Sequence, residues 1–265
     1  MTNLRQFAKV FSLSLGLGLG LSNCGTDTSS DVKVANGIEI PETTFPSVVL
    51  LYDQAGSICT GTFITEEIVL TAAHCSMSGD VNTRTGEVDL TLGIIEIEDA
   101  AEGKAKLVAQ STKIYRNPLW DSNGRNVNRY DLGVVYFPKG TARAVSDLTA
   151  GSARSGDEFT IVGYGLNQTN DLQDGSSAGI KRIGYNTVSS VSGGFIQFTG
   201  QTETTNGDGS DASSSSGDSG GPLFIDGELA GVTSGGGNSF GRARSLYIDI
   251  HSSTSKDFLG QFVNY

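Results

Sequence analysis

Ser219 stands in GDSGGPL, residues 217–223, between an aspartate and two glycines. A serine hydroxyl is a weak nucleophile at neutral pH unless a base takes its proton. Only two histidines, His74 and His251, are present to act as that base. Two orders of residues compete. Gly217-Asp218-Ser219-Gly220-Gly221 fits the G-x-S-x-G elbow, where the serine precedes its acid and its histidine. That order would join Ser219 to Asp226 or Asp249 and to His251. The elbow needs a strand before the serine and a helix after it. Here a run of serines comes before, and Pro222 with the strand-like LFI comes after, so the context fails. The other order is histidine, aspartate, serine: His74 in LTAAHC, Asp131 in YDLGVV, then Ser219.

The elements that must position these residues read as strands. Short apolar runs rich in Val, Ile, Tyr and Phe alternate with turn residues. Examples are FPSVVLLY, EIVLTAAHC, VDLTLGIIEIE, DLGVVYF, EFTIVGYG, GFIQFTG and SLYIDI. Asp226–Gly227 inside LFIDGELAGV is a hairpin turn signal. The 36 glycines disfavour long helices. Many strands without helical patterns between them predict an all-β barrel or sandwich. One helix is predicted over residues 253–263, capped by Thr254, with Phe258, Leu259 and Phe262 on one face. TETTNGDGSDASSSS, residues 202–216, is a loop by composition. Its Asn206, Asp208 and Asp211 have an acidic spacing like that of a calcium loop, but the closing glutamate is missing. The chain contains no H-E-x-x-H and no Gly-Lys-Ser/Thr phosphate loop, and we expect neither metal nor cofactor.

The chain ends inform on location and partners. Arg5 and Lys9 precede VFSLSLGLGLGL, an apolar run that fits a signal peptide and is too short to span a bilayer. A signal over 1–23, a small polar tether or propeptide over 24–33 and a domain over 34–265 are expected. Cys24 follows the apolar run directly, in LSNC, a placement that resembles a bacterial lipoprotein signal with a lipidated cysteine. An ordinary cleaved signal is the alternative. Cys59 and Cys75 form the remaining pair, which in an exported chain can be a disulfide. The net charge of −11 argues against nucleic acid as a partner. We expect a monomer, exported or anchored to a bacterial membrane through lipid, acting on protein or peptide substrates.

LTAAHC, YDLGVV and GDSGGPL, with VGYG at 162–165, give the chain from about Val34 to Tyr265 a specific likeness. It resembles the trypsin-like (chymotrypsin-fold) serine peptidases. The resemblance implies two six-stranded antiparallel β-barrels and a C-terminal helix. It implies an endopeptidase in which Ser219 attacks, His74 moves the proton and Asp131 orients the imidazole. The amides of Gly217 and Ser219 would take the oxyanion, and the glycines let the backbone turn inward there. A Cys59–Cys75 bridge is implied as well. Ser213 falls at the pocket floor, where neutrality implies an uncharged side chain before the cut. Ser234 and Gly236 fall on the pocket-edge strand and Ser245 on a second wall. The open slot suits large apolar side chains. Gly235 stands where the family usually carries an aromatic, and the loop around Asp211 could bend a charge into the pocket. KVANG resembles an activation site: a cut between Lys33 and Val34 would free an amine to pair with Asp218. Ala35–Asn36 departs from the usual Val–Gly. The rival reading is a catalytically silent binding protein on the same fold.

Overall fold

The computed structural model describes residues 34–99, 104–120, 128–167 and 177–264. The expected signal, the tether, Cys24 and Lys33 lie outside them. Strands dominate. The first half carries β1 (Ile38–Glu39), β2 (Val48–Tyr52), β3 (Ile58–Phe63), β4 (Ile68–Thr71), β5 (Asp80–Val81), β6 (Val88–Asp89), β7 (Gly93–Asp99), β8 (Lys104–Gln110), β9 (Lys113–Arg116) and β10 (Gly133–Tyr136). The second half carries β11 (Glu158–Gly163), β12 (Arg182–Thr187), β13 (Ser190–Ser192), β14 (Phe195–Gly200), β15 (Pro222–Ile225), β16 (Glu228–Ser239) and β17 (Arg242–Asp249), then α1 (Ser253–Leu259).

Two large antiparallel sheets result, with β5 and β6 pairing as a small third one. One has seven strands in the order β8-β7-β2-β3-β4-β10-β9, the other eight in the order β1-β12-β11-β15-β16-β17-β14-β13. The all-β class and the C-terminal helix are as expected, but the ladders do not close into six-stranded barrels. In the first sheet the free edge of β9 is already occupied. Arg116 donates its amide to Gly86 and Tyr115 bridges Glu87, so the segment before β6 covers the edge that closure would need. In the second sheet β1 contributes only two residues, and its pairing ends at β12.

The expected hairpin turn is present. Asp226 and Gly227 both have positive φ, 51° and 85°, which is the twist a two-residue hairpin requires, and β15 returns as β16. Burial drives the rest. Val48, Leu50, Leu70 and Val134 from the first sheet meet Val162, Phe224, Val232 and Ile248 from the second in one shared core. Helix α1 closes it with Phe258 and Leu259. The helix differs from expectation at both ends. Ser252, not Thr254, is the N-cap, accepting the Ser255 amide. Past Leu259 the amides of Gln261 and Phe262 bond three residues back, so the last predicted turn tightens and leaves the α-helix. Phe262 still packs on Phe258 and on Tyr115.

Candidate active site

A buried hydrogen-bond knot lies where the two sheets meet. His74 sits in the 3₁₀ turn Ala73–Ser76 that follows β4, and Asp131 lies just before β10, the partner of β4. His74 Nδ1 is 2.8 Å from Asp131 Oδ2, and the His74 amide donates to Asp131 Oδ1 at 2.9 Å. Ser234 Oγ, from β16, donates to the same Oδ2 at 2.6 Å. Asp131 is buried, while the imidazole is a quarter exposed. Three donors thus fix the carboxylate, and the carboxylate fixes the ring.

Ser219 is held beside this knot by the first half of the chain. Its carbonyl accepts the Thr60 amide from β3 at 2.8 Å. The Cys75 sulfur, next to His74 in sequence, lies 3.6 Å from the same oxygen. Cys75 is bonded to Cys59, which joins β3 to the histidine turn as implied. Around Ser219 the backbone needs its glycines. Gly217 has φ +98° and a Cβ there would meet the Gly165 backbone at 2.9 Å. Gly220 has φ +79° and a Cβ would lie 2.0 Å from Thr71 Oγ1. The amides of Asp218, Gly220 and Gly221 bond within the protein, whereas those of Gly217 and Ser219 have no protein acceptor among the described residues.

Next to Ser219 opens a cleft of about 250 Å³. Ser214, Ser216, Thr233, Gly235, Gly236 and Gly237 line it. Of the expected pocket residues, Gly236 stands in this lining and the others stand behind it. Ser213 is fully buried and donates its hydroxyl to the Gln201 carbonyl. Ser245 accepts from both the amide and the hydroxyl of Ser214. Ser234 is occupied by Asp131. Asp211 does not bend into the cleft. Both its oxygens pair with the Arg242 guanidinium, and Gln201 adds a further donor. Asp208 accepts from Ser210 and Asn206, so Asn206, Asp208 and Asp211 do not converge on one point. His251 is apart from the knot, with Nε2 against Thr149. The order Ser219, Asp226 or Asp249, His251 is therefore not assembled.

The family model for Trypsin matches residues 34–258. This chain belongs to the trypsin family. Among curated members of the trypsin family it is 26% identical to a chymotrypsin of Phaedon cochleariae, covering 85% of this chain and 81% of that one. It is 27% identical to serine protease harobin of Hydrophis hardwickii, over 89% and 86%. A trypsin-like protease of Streptomyces glaucescens is 27% identical, but the match spans only half of that relative. Among solved structures, a variant of human heparin binding protein superposes with a TM-score of 0.59 at 18% identity, over 86% of this chain and 94% of that one. At that identity the likeness speaks for the fold alone.

Of the residues expected to take part in activation, Val34 and Asp218 fall in the described region. Val34 is fully buried, with its Cγ1 against Gly184 of β12, and Ala35 bridges Ser213. Asp218 lies over Gly163, which pairs with Arg182, while Gly184 pairs with Ile161 on the same face. Val34 and Asp218 therefore stand over the same face of β11 and β12. Asp218 Oδ1 accepts the Gly165 amide and Oδ2 the Ser215 amide, both at 2.8 Å. Burial pushes its pKa up to about 6, and the two amides and the Arg182 charge pull against that. Arg182 is itself fully buried, with its pKa brought down to about 10 by burial and its Nη2 paired to Glu39.

Sequence reasoning missed Arg182, Thr60, Asn36 and Arg242. Arg182 sits in RIGYNT, a segment with no motif, and its partners lie far away in sequence. Thr60 occurs in the implied disulfide strand SICTGTFI, but only the fold shows its hydroxyl on the Gly217 carbonyl. Asn36 was visible as a departure from the family pattern at KVANG, without a stated purpose.

Proposed function

We propose that this chain is an exported serine endopeptidase that works through His74, Asp131 and Ser219. Ser219 Oγ attacks the scissile carbonyl carbon while His74 Nε2 takes its proton. The oxyanion is received by the amides of Gly217 and Ser219. His74 returns the proton to the leaving amine, whose C–N bond breaks, leaving an acyl-enzyme. Water, deprotonated by His74, then releases the acid and restores Ser219. Asp131 and Ser234 keep the ring in the tautomer that this needs. The observation that carries the reading is the His74–Asp131–Ser234 knot beside two unpaired amides.

The cleft speaks for a neutral side chain before the cut. Its lining is mostly hydroxyls and glycine backbone, it contains no carboxylate, its one charged member, Arg244, is bonded to Gln197, and the Asp211 charge is neutralised by Arg242. Residues 34–265 form the catalytic unit, acting as a monomer. A cut between Lys33 and Val34 activates it, and with Cys24 lipidated the same cut frees it from the membrane. The disulfide suits an oxidising compartment.

Fluorophosphonate labelling with peptide turnover tests the mechanism. Ser219 labels in the intact chain, and Ser219→Ala and His74→Ala each abolish turnover. A silent binding protein fails to label at all. Near-normal turnover in His74→Ala, with loss in His251→Ala, overturns the assignment. A peptide-library profile dominated by Lys and Arg overturns the neutral pocket. Full activity in an uncut chain overturns the activation step.

A further inference from the structure

The side chain of Asn36 is buried, yet its contacts serve one polar loop. Its Oδ1 accepts three consecutive amides, from Thr205, Asn206 and Gly207, at 2.9–3.1 Å. Its Nδ2 donates to the Ser210 carbonyl at 2.6 Å. Its own carbonyl accepts the Gly209 amide. Asn36 adopts φ +66°, a left-handed conformation that glycine and asparagine tolerate. Segment 202–213 has few apolar residues and no ladder of its own, so composition alone gives it no reason to hold one shape. The carboxamide supplies that reason by satisfying backbone groups that would otherwise need water.

The loop so held is the underside of the cleft. Its last residues are Asp211, clamped to Arg242 at the start of β17, and Ser213, bonded to Gln201 and to Ala35. Ser214 follows directly and lines the cleft, with its amide and hydroxyl on Ser245. Residues 205–210 lead directly into these two anchors, and Tyr185, which gives its amide to the Gly209 carbonyl and accepts the Ala212 amide, holds the segment together with Asn36. The nucleophile has separate supports, from Thr60, Gly165 and Thr233.

We propose that Asn36 is a positioning residue for substrate specificity: it shapes the base of the cleft through residues 205–210 and leaves the bond-breaking groups untouched. The proposal rests on the peptidase reading for its kinetic test. Asn36→Gly keeps the left-handed backbone and deletes the carboxamide. Asn36→Asp keeps an acceptor for the three amides and loses the donor to Ser210. With a peptide whose side chain fills the cleft, Asn36→Gly should raise KM roughly tenfold or more, the scale of losing several net hydrogen bonds. The kcat and the rate of Ser219 labelling should change by less than about threefold, a factor worth under ~0.7 kcal/mol. Asn36→Asp should raise KM as well, because its second oxygen would stand where Nδ2 now meets the Ser210 carbonyl and Asp208 Oδ1. A peptide with glycine before the cut should show little of the KM effect. Cleavage by an unrelated protease within 202–210 should appear in Asn36→Gly and not in the natural chain.

An unchanged KM in both variants overturns the proposal. So does a parallel loss of kcat, labelling and the thermal transition in both variants, which would make Asn36 a general support of the fold. If the natural chain does not label, the peptidase reading fails instead. The loop is then judged by limited proteolysis, and protection of 202–210 in Asn36→Gly rejects the role.

Discussion

Raising the pH should destabilise the uncut chain through one buried carboxyl. Asp218 is 3% exposed, and burial holds its pKa at about 6 against 3.8 for a free aspartate. Between those values the folded chain keeps a proton that the unfolded chain has lost. The stability linked to this proton is fully present below 3.8 and is lost as pH rises through about 6. The gap amounts to about 3 kcal/mol, at ~1.4 kcal/mol for each tenfold. The assay is urea unfolding followed by circular dichroism from pH 4 to 7.5, in a chain carrying Ser219→Ala to prevent self-cleavage. The same chain with Asp218→Asn is the reference, because it holds every other titrating group constant. The difference in stability between the two should move by about 3 kcal/mol against the aspartate across that range. A difference that does not vary with pH refutes the reasoning. Cutting after Lys33 supplies the other arm. A Val34 ammonium beside Asp218 favours the carboxylate, so the slope should vanish or reverse. An unchanged slope after the cut separates Val34 from Asp218 and removes the basis of the activation step.

Gly163→Ala would place a Cβ 2.1 Å from Asp218 Oδ1, a carboxylate pinned by two amides. It should lower both the thermal transition and kcat/KM, on the scale of the ~1–3 kcal/mol that overpacking costs. Gly151→Ala, with open space around its Cβ, is the control that should do neither, and matching behaviour of the two rejects the steric account. Replacing Cys59 and Cys75 together by alanine opens a loop whose ends are 16 residues apart. Urea unfolding should show a loss of about 3 kcal/mol, and a loss under ~1 kcal/mol rejects the chain-entropy account.

Family membership and the local turns were legible in the sequence because they live in short segments. His74, Asp131 and Ser219 each carry their own local signature, and the hairpin at Asp226–Gly227 needs only two residues to declare itself. Edges and long-range partners were not legible. β8, KAKLVAQ, and β12, RIGYNT, carry too many charged or polar side chains to stand out as apolar runs. The failure of the first sheet to close depends on Gly86 and Glu87 reaching β9, a pairing that no local pattern announces. Ser213 occupies the expected place in the chain, but its hydroxyl turns down to Gln201, and the surface role passes to Ser214. Arg242 changes the meaning of Asp211 altogether, from a charge available to substrate to one already answered. Asn36 shows the limit most plainly: five hydrogen bonds converge on a residue that the sequence marks only as an unusual choice.

Thr60 touches both halves of the molecule at once. From β3 it gives its amide to Ser219 and its hydroxyl to Gly217, receives the Tyr164 amide, and accepts the Thr71 hydroxyl on its carbonyl. Among the described residues the one disulfide lies wholly within the first half, so no covalent cross-link ties His74 to the Ser219 segment. The hold of the first half on the Ser219 segment therefore rests on a non-covalent seam with Thr60 at its centre. A chimera that joins the first half of this chain to the second half of a relative keeps a histidine, an aspartate and a serine at these positions and still depends on that seam to set them together. Compatibility there, rather than possession of His74, Asp131 and Ser219, sets which halves can be exchanged.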